Sequence, residues 1–424
     1  MTYTTLFFII VAFIVVETAW EKYLDHRNRI ASTQPLPKEV EGLYSEDEYR
    51  KQQEYFAANN KFGNFTDIVS LSVTLILLFT FAFKYIDDFA RSFGFSEPWT
   101  AAIFVVATNL ISDVISIPMS AYKNFVIEEK FGFNKMTVGT FIGDTIKNML
   151  ISMVLMTVVV AALAYVYQWL GVNYWIIGSV ILAGIMIFFM TFYTSVILPL
   201  FNKMTPLEDG SLRTAIEEFS NKTGFKISDI YIIDGSKRST KANAFFSGLG
   251  SRKRICLYDT LKNKMTDEEI VAVLAHEIGH QKCKHTTKQL ALGILNMVFI
   301  LFLSSLFLGD PETGNADLAA VFGSETPSFH LSLYAFMLLM SPISTVVGWL
   351  VNILTRKYEY EADAFAKKHG MGDELVSALK KLSADSLSNL TPDSLFVSYH
   401  YSHPTLVQRI KAIVGKANFL TLNF

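Results

Sequence analysis

The run His276-Glu277-Ile278-Gly279-His280 has residue types and a spacing suited to hydrolytic metal chemistry. On a helix, residues four apart share a face, so both imidazoles can reach one cation. Glu277 then projects beside that cation, where its carboxylate can take a proton from water. Such a run arises by accident in roughly one comparable chain per hundred, so a second set of residues must support it. A catalytic zinc usually takes three protein ligands and keeps one position open. The best third ligand is Glu359, in Tyr358-Glu359-Tyr360-Glu361-Ala362-Asp363. Asp363 lies four residues on, on the same helix face, and can accept a hydrogen bond from a ligating imidazole and fix its tautomer. Glu361 is two residues from Glu359 and roughly opposite on a helix, so only one of the two can be the ligand. The plain alternative makes both of them solvated helix charges, paired with Arg356 or Lys357.

Cys283, seven residues after His276 and near its face, is the nearest rival ligand; its ordinary reading is a small buried residue. His285 is nine positions from His276, on the far face of a continuous helix, and is not expected to ligate. His26, His330 and His369 are isolated and receive no role.

These side chains need elements to hold them. Thr266 and Glu269 form a capping box that opens the helix carrying the histidine pair. Before it, the spacing of Leu212, Ala215 and Phe219 predicts a helix over 211–223. Strand-like runs follow at 230–233, 244–247 and 255–258. A small antiparallel sheet followed by such a helix is an arrangement that zinc endopeptidases commonly use, with an edge strand near Phe245 gripping the substrate backbone.

The rest of the chain is a membrane protein by composition. Of 424 residues, 51% are hydrophobic and the formal net charge is −2. Nucleic acid is thereby excluded as a partner, and with only Cys256 and Cys283 present no disulfide framework is plausible. Seven stretches are long and apolar enough to span a bilayer, or nearly so: 4–20, 65–83, 99–121, 149–170, 174–197, 289–308 and 331–354. The first reads as an uncleaved anchor. Lys22, Arg27, Arg29, Lys123, Lys130, Arg356 and Lys357 follow the odd-numbered spans, whereas 309–329 has four acids and no Lys or Arg. The positive-inside rule then places the N-terminus in the lumen and the C-terminus and site in the cytosol. Sequons at Asn64, Asn221 and Asn389 all fall on the cytosolic side and should carry no glycan. The domain division that results is 1–200 (spans one to five, with a connector at 21–64), 201–288 (first segment of the peptidase domain), 289–354 (spans six and seven) and 355–424 (second segment of the peptidase domain). Asp113 lies mid-span, where facing lipid would cost roughly a few kcal/mol; a polar cavity or an interhelical hydrogen bond would relieve it.

Taken together, the residues resemble the type I CaaX prenyl proteases, integral-membrane zinc endopeptidases that mature farnesylated proteins. The resemblance rests on the seven spans, His276–His280, the Glu359 and Asp363 pair, Ser402-His403-Pro404 and the stretch from Ile127 to Lys135. It implies one Zn2+ per chain on His276, His280 and Glu359, with Glu277 as base. It adds Asn243 as a residue holding the substrate backbone and His403 as one steadying the oxyanion or the substrate carbonyl. It implies a mainly α fold, seven tilted transmembrane helices forming a barrel around a water-filled chamber, with a zincin-like domain and a small β-sheet on the cytosolic side. The implied substrate is a farnesylated CaaX protein that loses its last three residues, in the endoplasmic reticulum membrane or the inner nuclear membrane. No retention signal is visible at Asn423-Phe424, so the organelle follows from the resemblance alone. Two other functions fit portions of the pattern: a broader quality-control protease, which shares every catalytic residue, and a seven-helix receptor or transporter, which leaves the metal set unexplained.

Overall fold

A chain in hydrocarbon must satisfy its own backbone amides, so long apolar runs fold as helices. The computed structural model describes residues 2–248, 254–312 and 314–415; Asn423-Phe424 lie outside the described residues. The N-terminal portion forms α1 (Tyr3–Ala31), α2 (Glu46–Phe79), α3 (Ala82–Arg91), α4 (Glu97–Tyr122), α5 (Val138–Leu170) and α6 (Tyr174–Val196). A polar segment follows with β1 (Met204–Pro206), α7 (Ser211–Thr223), β2 (Asp229–Ile233), β3 (Ala244–Ser247), β4 (Arg254–Tyr258) and α8 (Asp267–Lys282). The chain re-enters apolar sequence with α9 (His285–Leu308), α10 (Phe329–Leu339) and α11 (Ser341–Lys368). It ends in α12 (Gly372–Asp385), α13 (Ser394–His400) and α14 (Leu406–Val414).

Among the described residues, five helical stretches are long and apolar enough to cross a membrane, and a sixth if α10 and α11, bent by 56°, are one span. One stretch, Val138–Phe201, contains both expected spans 149–170 and 174–197. It turns at Gly171, whose φ is +54°, and doubles back: Leu163 packs where Gly178 has no side chain, and Lys147 Nζ donates to the Leu200 carbonyl at 2.8 Å. Val114, Val154 and Trp169 leave 65% to 72% of their surface uncovered, a burden that lipid relieves and water does not. The chain is therefore a multi-pass membrane protein. Between α2 and α4 a cavity of about 330 Å³ has hydroxyls such as Ser70, Thr74, Thr108 and Ser112 beside apolar side chains such as Leu77 and Ile115. His330 is not isolated as expected: it is buried and bonds Asp87 of α3 at 2.7 Å.

The sheet corrects the sequence reading. Its order is β1-β2-β4-β3, with β2 and β4 parallel and the outer pairs antiparallel, so it is mixed rather than antiparallel. The expected strands fall within a residue of β2, β3 and β4, whereas β1 has no counterpart among them. β3 is an edge strand, as the substrate-gripping argument requires. The Ile127–Lys135 stretch braces the chain entering β3. Glu128 takes a hydrogen bond from Tyr55 at 2.6 Å and one from Lys241 at 2.8 Å, and the Lys135 N–H donates to the Arg238 carbonyl at 3.0 Å.

Helix α8 begins as its capping box predicts. Thr266 Oγ1 accepts from the Glu269 N–H while the Glu269 carboxylate accepts from the Thr266 N–H. Glu269 also accepts from Ser377 and Lys381 of α12, each at 2.7 Å, which ties the start of α8 to its neighbour. Ile270, Leu274 and Ile278 pack in the core with Ile216, Phe219 and Leu257, leaving the histidine face toward α11.

Candidate active site

Two helices that would normally sit eight to ten Å apart are brought close by one missing side chain. A Cβ at Gly279 would lie 3.0 Å from both Ala362 Cα and Phe365 Cβ of α11. Glycine at the fourth position of His276–His280 therefore lets Glu359 approach the histidine pair. Gly279→Ala should cost about 1–3 kcal/mol by overpacking and loosen metal binding. Parallel thermal unfolding and metal analysis check this, and a variant with wild-type values in both would refute the close-approach argument.

His276, His280 and Glu359 each offer a donor atom within 4.8 Å of the other two. The His276 and His280 Nε2 atoms are 3.1 Å apart; Glu359 Oε2 is 3.4 Å from His276 Nε2, and Oε1 is 3.2 Å from His280 Nε2. Among the described residues Glu359 Oε2 is buried without a hydrogen-bond partner, which is costly unless a cation satisfies it. Two imidazoles and one carboxylate form an accepted zinc donor set. The residues fit the metal.

Behind this cluster, Asp363 Oδ1 is 2.8 Å from His276 Nδ1. Asp363 is held in turn by Arg409 of α14, whose Nε donates to Oδ2 at 2.9 Å and Nη2 to Oδ1 at 2.5 Å. Arg409 Nη1 also lies 3.6 Å from Glu359 Oε2. Arg409 escapes the sequence reading, although a signal exists: it shares the apolar stripe of Ile410 and Ile413, where a charge needs a buried partner.

The His276 imidazole is pushed up to about 9. Burial and the Arg409 charge disfavour its cation, and the neighbouring Asp363 and Glu359 carboxylates outweigh them. Glu277 is half-buried and makes no side-chain hydrogen bond among the described residues. Burial raises its pKa, while the two imidazoles pull the other way, a suitable state for a group that must exchange a proton.

His403 lies between α13 and α14, its side chain 64% exposed and its Nε2 3.4 Å from Glu359 Oε1. The structure thus brings His403 to the carboxylate of the cluster. Asn243 is exposed at the start of β3. Its Oδ1 accepts from the Ala244 N–H at 2.8 Å and its carbonyl from the Tyr258 N–H at 3.0 Å, and it makes no hydrogen bond to the cluster. Glu361 points away from Glu359, toward His285 and Lys357. His285 is outside the first cluster, as expected, but for a different reason. Helix α8 stops at Lys282, Lys284 takes a left-handed φ of 58°, and His285 opens a new helix. The ring therefore returns beside His280, Nδ1 to Nδ1 at 3.1 Å. Cys283 is half-buried rather than fully covered and groups with His285 and Glu361.

A multi-pass helical protein whose soluble portion brings these residues together is a membrane metallopeptidase in class. Residues 25–203 match a family model described as the CAAX prenyl protease N-terminal region with five membrane helices, and residues 206–417 match peptidase family M48. The chain belongs to the CAAX prenyl protease 1 family of M48 metallopeptidases. It is 35% identical to the CAAX prenyl protease 1 homolog of Arabidopsis thaliana over 96% of this chain and 97% of that one. It is 34% identical to CAAX prenyl protease 1 of Saccharomyces cerevisiae over 96% and 94%. The crystal structure of S. mikatae Ste24p superposes with a TM-score of 0.89 at 34% identity, covering 96% of this chain and 98% of that one. Membership in a metallopeptidase family makes the chain an enzyme with a metal cofactor.

Proposed function

We propose that the protein removes the C-terminal aaX tripeptide from farnesylated CaaX proteins, using one zinc ion held by His276, His280 and Glu359. The observation that carries this reading is the buried Glu359 Oε2, which accepts no hydrogen bond among the described residues, facing a histidine pair in a chain that aligns over nearly its full length with named CAAX prenyl proteases. When bound, zinc supplies Lewis acidity to the scissile carbonyl and acidifies a water. Glu277 takes the water proton and returns it to the leaving amine. Asp363, steadied by Arg409, keeps the His276 proton on Nδ1 so that Nε2 faces the metal. His403 donates to the developing oxyanion, and Asn243 with the free edge of β3 aligns the peptide.

Membrane embedding has a chemical reason. A prenylated tail joins an apolar lipid to a peptide that must be hydrolysed, so apolar walls and a wet site are needed together. The hydroxyl-lined cavity between α2 and α4 supports a water-filled chamber enclosed by the helices. Counting Val138–Phe201 as a hairpin and the bent α10 and α11 pair as one span gives seven crossings. That count agrees with a lumenal N-terminus and a cytosolic site in the endoplasmic reticulum membrane or the inner nuclear membrane. The peptidase domain then comprises residues 201–288 and 355–424, and the membrane domain comprises residues 1–200 and 289–354.

The test is cleavage by purified, reconstituted protein of a farnesylated CaaX peptide and its unmodified twin. Release of the tripeptide from the farnesylated peptide alone is the expected result. Equal rates on both would replace this reading with general quality-control proteolysis, and no cleavage of either would refute it.

Metal binding should depend on pH. Zinc must displace the Nε2 proton of His276, whose cation Asp363 and Glu359 favour so that its pKa rises from 6.5 to about 9. Affinity in chelator-stripped protein should therefore tighten by up to about tenfold per pH unit across that window and level off above it. The raised pKa also adds stability to the stripped protein that is complete below about 6.5 and lost as pH rises through about 9. Zinc titrations and thermal melts at several pH values check both, and a flat affinity profile would contradict them.

A further inference from the structure

Cys283, His285 and Glu361 each offer a donor atom within 4.8 Å of the other two. They adjoin the first cluster: Glu361 shares α11 with Glu359, Cys283 follows the end of α8, and His285 opens α9. The left-handed Lys284 reverses the chain so that Cys283 and His285, two residues apart, converge. Glu361 comes from α11, two residues past Glu359 and therefore on the opposite side of that helix. The His285 ring is fully buried and fixed in a stack on Tyr358, with centroids 4.1 Å apart and planes at 11°. Its Nε2 is 2.9 Å from Glu361 Oε2. We propose that these three residues form a second, weaker site for a borderline divalent cation such as zinc, and that its occupancy inhibits the first.

Thiolate, imidazole and carboxylate are the donors that such cations take. Lys357 Nζ, 3.9 Å from Glu361 Oε1, and Lys288, over the Tyr358 ring, are the nearby cations that a metal must displace or tolerate. They make the second site weaker than the first.

The coupling follows from the hydrogen-bond roles of two imidazoles, and it rests on the catalytic reading above. A neutral His280 that ligates through Nε2 carries its proton on Nδ1 and donates it to His285 Nδ1, 3.1 Å away. His285 must then carry its own proton on Nε2, where Glu361 accepts it. Ligation of a second cation by His285 Nε2 moves that proton to Nδ1, and ligation by Cys283 releases the thiol proton. Two N–H donors would then face each other, and His280 would have to turn or change tautomer, which withdraws its Nε2 from the first metal.

The test is titration of the zinc-loaded protein with Co2+, following absorption and peptide cleavage together. The first cluster contains no sulfur, so a thiolate-to-cobalt charge-transfer band reports the second site whether or not the peptidase reading holds. The band should grow as Co2+ is added, be absent from Cys283→Ser, and accompany a loss of activity of about tenfold or more. Cys283→Ser should keep wild-type activity without added metal, as should Glu361→Gln, whose amide oxygen still accepts from His285 Nε2–H, and both should need at least about tenfold more Co2+ for half-inhibition. No band, a band that persists in Cys283→Ser, a band without inhibition, or equal sensitivity in all three proteins would each overturn the proposal.

Discussion

Glu277→Gln should keep its zinc and lose between about a hundredfold and ten-thousandfold in turnover, the range that general acid–base groups contribute. Glu277 faces the His276 and His280 charges but belongs to no hydrogen bond among the described residues. Removing its charge should therefore leave the ligand geometry in place. Because the loss falls on the chemical step, kcat and kcat/KM should decline together while KM changes little. Metal analysis of the purified variant beside steady-state kinetics on a farnesylated peptide makes the measurement. Full metal content with near wild-type turnover would remove Glu277 from the mechanism.

Glu359→Ala has the other large expected effect, and it acts on the metal itself. Glu359 is 5% exposed, within 3.4 Å of His276 and His280, and supplies the carboxylate of that three-residue cluster. Zinc affinity should fall by more than about a hundredfold, beyond what outer-shell changes cause, and activity should vanish with it. Glu361→Ala is the paired control. Its carboxylate faces His285 and Lys357 and reaches His280 only through His285, so zinc affinity should fall by about tenfold at most, far less than in Glu359→Ala. Metal retained in Glu359→Ala but lost in Glu361→Ala would transfer the ligand role two residues along the helix.

These residues are legible in the sequence because their signals are local. Four-residue spacing sets both histidines on one face, and the same spacing sets Asp363 behind Glu359. The capping box at Thr266 is a short-range exchange of hydrogen bonds, and the structure contains both halves of it. Strand positions at β2, β3 and β4 follow from runs of β-branched and aromatic residues between turn signals. Asn243 and His403 are different: nothing in their surroundings singles them out, and only the family resemblance raises them.

Sequence reasoning fails where a contact joins distant segments or where the backbone departs from a regular path. The parallel pairing of β2 with β4 arises because β3 leaves the middle of the sheet for its edge, a choice that alternation along single strands cannot encode. His285 is misplaced by any reading that extends the helix through Lys284, whose left-handed φ ends it. Sequence by itself determined the membrane class, the helix carrying the histidine pair, the carboxylate proposed as third ligand and the chemistry these groups can perform, since each depends on composition or on spacing within one element. The tertiary structure decided that Gly279 sets the distance between α8 and α11, that Arg409 clamps Asp363 from 46 residues away, and that His285 rests against His280. Those contacts depend on how separate helices cross, and steric fit and buried charge balance set the crossing only once the whole chain has folded.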